Sequence, residues 1–235
     1  DLRCHSRHAD SDPLLGTPLC LDCYDHNHQV VWNHHAPELW RRTRIALERH
    51  LRRLARALGV DPKALRVRYA KVAEMQRRGV VHFHAIIRLD GHDPTNPDVI
   101  LPPPTALTVD HLTDAVITAA QATSFVTDPH PAYPTGWPIT WGDQLDARPI
   151  RIGDGDLTDS MAAGYLAKYA TKSTEATGHS SRRLTADIID LYADPNGTHP
   201  ERLIDACWRL GEHWPALRRW AHMLGFRGHF LTKAR

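Results

Sequence analysis

Two runs that alternate apolar and polar residues, 65–76 and 80–89, are separated only by Arg77-Arg78-Gly79, and this spacing specifies an antiparallel hairpin. A three-residue loop ending in Gly suits a type I turn followed by a bulge, because Gly takes the left-handed backbone position at least cost. The loop sets the register: Gln76 opposite Val80, Glu74 opposite His82 and Val72 opposite His84. Side chains alternate across a strand, so Glu74, His82 and His84 share one face while Phe83 turns to the other, toward a core. Two imidazoles and a carboxylate with open coordination positions suit Mg²⁺ or Mn²⁺ binding phosphate oxygens. The same pattern also occurs as two hydrogen-bonded sheet histidines with no metal. A histidine-triad hydrolase would need a third His where Ile86 stands, and a cupin a Glu near Arg88 and Leu89.

The hairpin lies in the basic part of the chain. Residues 37–90 carry 14 Lys and Arg against 5 Asp and Glu, whereas residues 91–160 carry 2 against 10. A net charge of +2 conceals this asymmetry. The basic half suits a polyanion, with Arg77, Arg78 and Arg88 the hairpin's own candidates for contacting DNA. The ordinary alternative is that Arg41, Arg42, Arg44, Arg49, Arg52, Arg53 and Arg56 merely solvate one helix.

Residues 1–28 form a second chemical cluster, with Cys4 and His8 followed by Cys20-Leu21-Asp22-Cys23. A Cys-x2-Cys knuckle presents both sulfurs to one ion, and Cys4 with His8 supplies a natural second pair for a closed, structural Zn²⁺ site. His5, His26 and His28 are substitutes for His8, and free thiols or a disulfide are the alternatives to zinc. Cys207 stands alone and reads as core. No apolar run approaches the roughly 20 residues that span a bilayer, and Asp1-Leu2-Arg3-Cys4-His5 is not a signal peptide, so a cytoplasmic protein is expected. The first residue is not Met, and the chain reads as a fragment of something longer.

Around the hairpin, Gln29–Trp32 reads as a short strand, and Pro37 opens a helix running to about residue 58 and closed by Gly59. A Thr108-capped helix over 108–124, short strands near 139–141 and 149–152, and helices near 181–193, 200–211 and 215–224 complete the pattern, with Trp208 and Leu210 in the core. Residues 159–173 read as one further helix, in which Tyr165, Lys168, Tyr169 and Lys172 fall on a single ridge of phenols and ammonium groups. Gly164 weakens that helix by roughly 1 kcal/mol relative to Ala, which suits a close approach to its backbone.

Glu74 eight residues before His82-Phe83-His84, followed by a doubled Tyr-x-x-Lys, resembles the HUH endonucleases of the rolling-circle replication-initiator type. Within them the chain is most similar to the two-tyrosine initiators of actinobacterial plasmids and integrative conjugative elements. The family's tyrosine motif fits twice, from Ala162 and from Leu166, and the amino-terminal Cys/His knuckle also looks like the actinobacterial group. The resemblance implies an α+β fold, a ferredoxin-like or RRM-like antiparallel sheet flanked by helices, with both histidines on a central strand. It divides the chain into a zinc element (1–28), an endonuclease core (29–180) with an acidic Pro-rich insertion at about 91–138, and a helical extension (181–235). It also implies an activity. Mn²⁺ or Mg²⁺ on Glu74, His82 and His84 polarises a phosphate of single-stranded or hairpin origin DNA, and Tyr165 or Tyr169 attacks it. Lys168 and Lys172 assist, and a 5′-phosphotyrosine link and a free 3′-OH result. A relaxase, a single-strand transposase and a noncatalytic origin-binding protein are the competing readings; relaxases usually place the tyrosine ahead of the histidines. With no helicase motor recognisable, a host helicase and polymerase are the expected partners.

Overall fold

The computed structural model describes residues 7–9, 11–12, 14–96, 99–150, 164, 183–229 and 231–233. It is an α+β structure in which an antiparallel sheet is flanked by helices. Strands β1 (Leu65–Met75) and β2 (Val81–Gly91) form the predicted hairpin, with Glu74 opposite His82 and Val72 opposite His84. Inside the turn the Gln76 amide donates to the Val80 carbonyl at 3.0 Å and the Gly79 amide to the Gln76 carbonyl at 2.8 Å. Gly79 has φ +72°, and a Cβ there would come within 2.8 Å of Leu224 Cδ1 and 2.9 Å of Leu203 Cδ1. Gly79→Ala combines left-handed strain with that collision, so it is expected to destabilise the fold by about 1–3 kcal/mol. Chemical denaturation measures this, and an unchanged midpoint would mean that the turn does not need its glycine.

Helix α1 (His26–Ala57) is longer than the sequence suggests. It starts at an Asp25 cap, whose carboxylate accepts from the His28 amide at 2.8 Å, and runs straight through Pro37. Gln29–Trp32 is therefore helical rather than a strand, and Pro37 is internal rather than a starting residue. An internal Pro costs about 3 kcal/mol in an exposed helix, but tertiary burial outweighs it here. Val30, Val31 and Leu39 are fully buried. Buried Asn33 donates to the carbonyls of Gly79 (2.8 Å) and Leu224 (2.9 Å) and accepts from the Val81 amide (3.1 Å), tying the first third of the helix to the hairpin turn.

Helix α2 (Val109–Gln121) has the predicted Thr108 cap and packs on α1. Strands β3 (Ser124–Val126) and β4 (Pro138–Thr140) form a separate two-stranded ribbon. Helices α3 (His199–Leu210) and α4 (Pro215–Arg219) follow, and strand β5 (Leu231–Lys233) pairs with β1. The helix expected near 181–193 is, in its described residues, a set of turns around one 3₁₀ turn at Ile189–Leu191. The Asp187 carboxylate bonds locally to Thr185, the kind of competition that draws such residues out of helices. Pro149 and Ile150 are irregular rather than strand, and Arg151 and Ile152 lie outside the described residues. The helix expected over 215–224 is split into α4 and a 3₁₀ turn at Ala221–Met223.

Two apolar clusters result. In one, Val30, Val31 and Leu39 of α1 meet Leu203, Ile204, Cys207 and Leu210 of α3, Leu217 of α4 and Phe226, with Trp208 packed partly buried against it. In the other, Leu47, Leu51 and Ala55 of α1 meet Ala115 and Ala119 of α2 and Leu89 of β2. Helix α1 thus covers the sheet face opposite the histidines. Among the described residues the sheet order is β2-β1-β5, so there the histidine strand pairs only with β1, where the resemblance implied a central strand.

Candidate active site

The hairpin places Glu74, His82 and His84 together by register alone, since facing residues of adjacent antiparallel strands approach within about 5.5 Å at Cβ. His84 Nε2 and Glu74 Oε2 are 2.8 Å apart, and the His82 and His84 rings lie 4.6 Å apart, edge to face. Burial, and then the neighbouring His84, hold the His82 pKa below the ordinary histidine value, so His82 is neutral near pH 7 with a lone pair free for a ligand. Phe83 points the other way, as predicted, against Phe226, Trp40 and Trp141.

The donor types are those that bind a divalent cation, but the arrangement is not a closed cage. Among the described residues no three His, Cys, Asp or Glu side chains are arranged to hold a metal ion. Glu74 and His84 instead satisfy one another.

The three arginines proposed from the hairpin differ. Arg88 is bound to Asp90 (Nε to Oδ1, 2.6 Å), which also pairs with Arg68 at 3.0 Å. That carboxylate is 2% exposed, and two guanidiniums balance it. Arg88 is thereby paired within the protein while its side chain stays half exposed, and Arg77 and Arg78 sit exposed on the turn, where Arg78 Nε donates to Gln76 Oε1 at 2.9 Å. The Arg78 carbonyl accepts from Gln29 Nε2 and lies 3.0 Å from His199 Nε2, which fixes its backbone.

A cleft of about 1600 Å³ runs along the outer edge of β2. His82, Arg78 and Arg88 line it together with Trp40, Tyr69, Phe83 and Trp141, so one of the two histidines and a set of aromatic rings border one space. Tyr165, Lys168, Tyr169 and Lys172 lie outside the described residues; Gly164 beside them is helical and exposed, with nothing within 4 Å of where a Cβ would stand.

In the amino-terminal segment the Cys23 amide donates to Cys20 Sγ at 3.3 Å, a bent Cys-x2-Cys turn. The Cys20 thiol is drawn below its ordinary pKa by hydrogen bonds from Cys23, and Cys23 is pushed up by Cys20 in return. Cys4 and His5 lie outside the described residues. His8 Nδ1 is 2.8 Å from Asp12 Oδ2. Of the substitute ligands, His26 meets His199 at 3.1 Å and His28 meets the Pro138 carbonyl at 2.8 Å, so both are turned to other partners.

One residue that the sequence reading passed over is Lys71, 4% exposed on the core face of β1. Its ammonium lies 3.9 Å over the Phe83 ring and 5.8 Å from the Trp40 ring. Burial brings its pKa down to about 8. The indole N–H of Trp40 nearby is buried and unpaired. Period-two counting carried the signal: Val67, Tyr69, Lys71, Ala73 and Met75 share one face, and four of the five are apolar or aromatic.

Comparison with known proteins places the chain among replication initiators. All 235 residues match the family described as RepSA, replication initiator protein, pSAM2, and the chain belongs to that family. It is 44% identical over 242 residues to a replication initiator protein of Streptomyces ambofaciens, covering 99% of this chain and 51% of that protein. The chain therefore spans about half the length of the curated relative it matches. No solved structure matches it. Among the described residues no helix is long and apolar enough to cross a membrane.

Proposed function

We propose that this chain carries the strand-cleaving centre of a rolling-circle replication initiator of the HUH type. The observation that carries the reading is the pairing of Glu74 with His82 and of Val72 with His84, which puts two imidazoles and a carboxylate on one strand face, with His82 also bordering an aromatic cleft. Membership of an initiator family supplies the context, origin DNA.

In this reading Glu74, His82 and His84 would hold Mn²⁺ or Mg²⁺, which requires the 2.8 Å contact between His84 and Glu74 to open. When bound, the ion supplies Lewis-acid polarisation of a phosphate oxygen. The rings of Tyr69 and Trp141, which line the cleft, offer stacking surfaces for unpaired bases, which every base can use because each has a π face. The phenol oxygen of Tyr165 or Tyr169 attacks phosphorus, the bond to the 3′ oxygen breaks, and that oxygen leaves as a free 3′-OH while the 5′ phosphate stays on the tyrosine. Lys168 and Lys172 favour the phenolate or neutralise phosphate charge. Two tyrosines allow a second transesterification that rejoins the strand. A host helicase and polymerase then unwind the duplex and extend the 3′-OH.

Incubation of the protein with single-stranded oligonucleotides tiling the origin, with and without Mn²⁺, tests this. Metal-dependent cleavage leaving a polymerase-extendable 3′ end is expected. Intact strands across the whole tiling would favour a noncatalytic origin-binding protein.

We also propose a structural zinc on Cys4, His8, Cys20 and Cys23, motivated by the bent Cys20–Cys23 turn and the lowered Cys20 thiol. Metal analysis after removal of loosely held ions should find one zinc per chain; finding none would remove the site.

A further inference from the structure

The carboxyl-terminal half of α1 carries Arg49, Arg52, Arg53 and Arg56, all exposed. At offsets of three, four and seven residues from Arg49, they occupy a single face of the helix. They differ from the arginines earlier on the same helix. Arg41 and Arg42 are bound to Glu38 and Arg44 to Glu48, whereas among the described residues none of these four forms an ion pair or a hydrogen bond with another side chain. Four free guanidiniums side by side repel one another, and a solvated face needs no such grouping.

We infer that this ridge is a second nucleic-acid surface that holds duplex DNA through its phosphates, separate from the histidine face. The inference rests on the chain acting at origin DNA but not on its cleaving that DNA. Several observations select the ligand. The opposite side of this helical segment, Leu47, Leu51 and Ala55, is 4%, 1% and 0% exposed, so no apolar stripe remains to enter a lipid interface. The positions are all Arg, whose planar fork grips phosphate oxygens in pairs where a Lys offers a point charge. From Arg49 to Arg56 the helix rises about 10 Å, a length over which a duplex carries roughly six phosphates. No Trp, Tyr or Phe is interleaved among the arginines, which removes the stacking platform that single strands use.

Placement makes the surface independent of the candidate active site. Helix α1 packs on the face of the hairpin bearing Leu89, and alternation puts Glu74, His82 and His84 on the other. The arginines point away from the sheet, so a helix layer and the sheet separate them from the histidines. A DNA that is single-stranded at the histidines and duplex beyond them can occupy both surfaces by passing around the molecule.

Fluorescence anisotropy with a labelled 25-base-pair duplex of arbitrary sequence, in EDTA across a salt series, tests the assignment. The variant Arg49→Gln/Arg52→Gln/Arg53→Gln/Arg56→Gln should bind on the order of 10- to 100-fold more weakly, with the slope of log affinity against log salt reduced by about 3 to 4. The corresponding fourfold Arg→Lys variant should keep most of the slope. A melting curve identical to wild type shows that the fold is intact, since the replaced side chains are exposed. Unchanged duplex affinity and slope in the Gln variant would overturn the inference, as would displacement of the duplex by polyglutamate at equal charge concentration, which would point to an acidic protein partner. Because EDTA excludes metal-dependent cleavage, these results stand whether or not the chain proves to be a nickase.

Discussion

His84→Ala is expected to lower the single-strand cleavage rate by about 10³-fold or more, equivalent to losing roughly 4 kcal/mol of transition-state stabilisation. His82→Ala should do the same, because both imidazoles stand on one strand face and neither can substitute for the other. Glu74→Gln should be the milder change, since the amide oxygen can still act as a ligand while its charge is lost. None of the three residues is fully buried, so melting temperatures should move little. A structural role predicts the reverse: intact cleavage in the His84→Ala protein, accompanied by a large fall in melting temperature from breaking the 2.8 Å contact with Glu74. The double variant adds a check. If both histidines serve one ion, losing the second after the first should cost almost nothing further.

Lys71→Met is expected to stabilise the protein, by about 1–3 kcal/mol at pH 7. The pKa of Lys71 falls from 10.5 to about 8 on folding, because burial penalises its charged form. A shift of that size corresponds to about 3 kcal/mol. The ammonium's seat over Phe83 returns part of it, since a partly desolvated cation–π contact contributes about 1–2 kcal/mol. The direction with pH follows from proton counting. Below pH 8 both folded and unfolded chains hold the proton and the whole burial cost is present. Between pH 8 and 10.5 the unfolded chain holds more protons than the folded one, so stability rises with pH across that window. Lys71→Met should abolish that part of the rise. The Cys20, Cys23 and Tyr24 groups also have pKa values shifted by folding, so the informative quantity is the difference between wild type and variant rather than either curve alone. A variant no more stable than wild type at pH 7, with a superimposable pH profile, would mean that Lys71 is not buried as a costly cation.

The hairpin was legible in the sequence down to its register, because a Gly-terminated three-residue loop between alternating runs admits few solutions. Glu74, His82 and His84 were found from that register and the strand period alone. The amino-terminal half of α1 was not, since Val30 and Val31 favour strands locally and Pro37 normally begins a helix; burial against α3 and the Asn33 contacts reversed both preferences. Those contacts join residues 46 to 191 positions apart, and no local pattern encodes them. The charge asymmetry was visible from counting, but which arginines were free was not, because pairing with Glu38 and Glu48 depends on side-chain geometry. Arg88 shows the same limit: its partner Asp90 sits two residues on, on the same strand face.

The most direct test of the central claim is covalent capture. The protein, incubated with a single-stranded origin oligonucleotide and Mn²⁺, should give a band of protein plus the 3′ fragment that survives denaturing electrophoresis, and peptide mapping should locate the fragment on Tyr165 or Tyr169. Each single Tyr→Phe variant should retain adduct and the double variant should form none. Cleavage without any covalent adduct, or an adduct persisting undiminished in the double variant, would contradict the account.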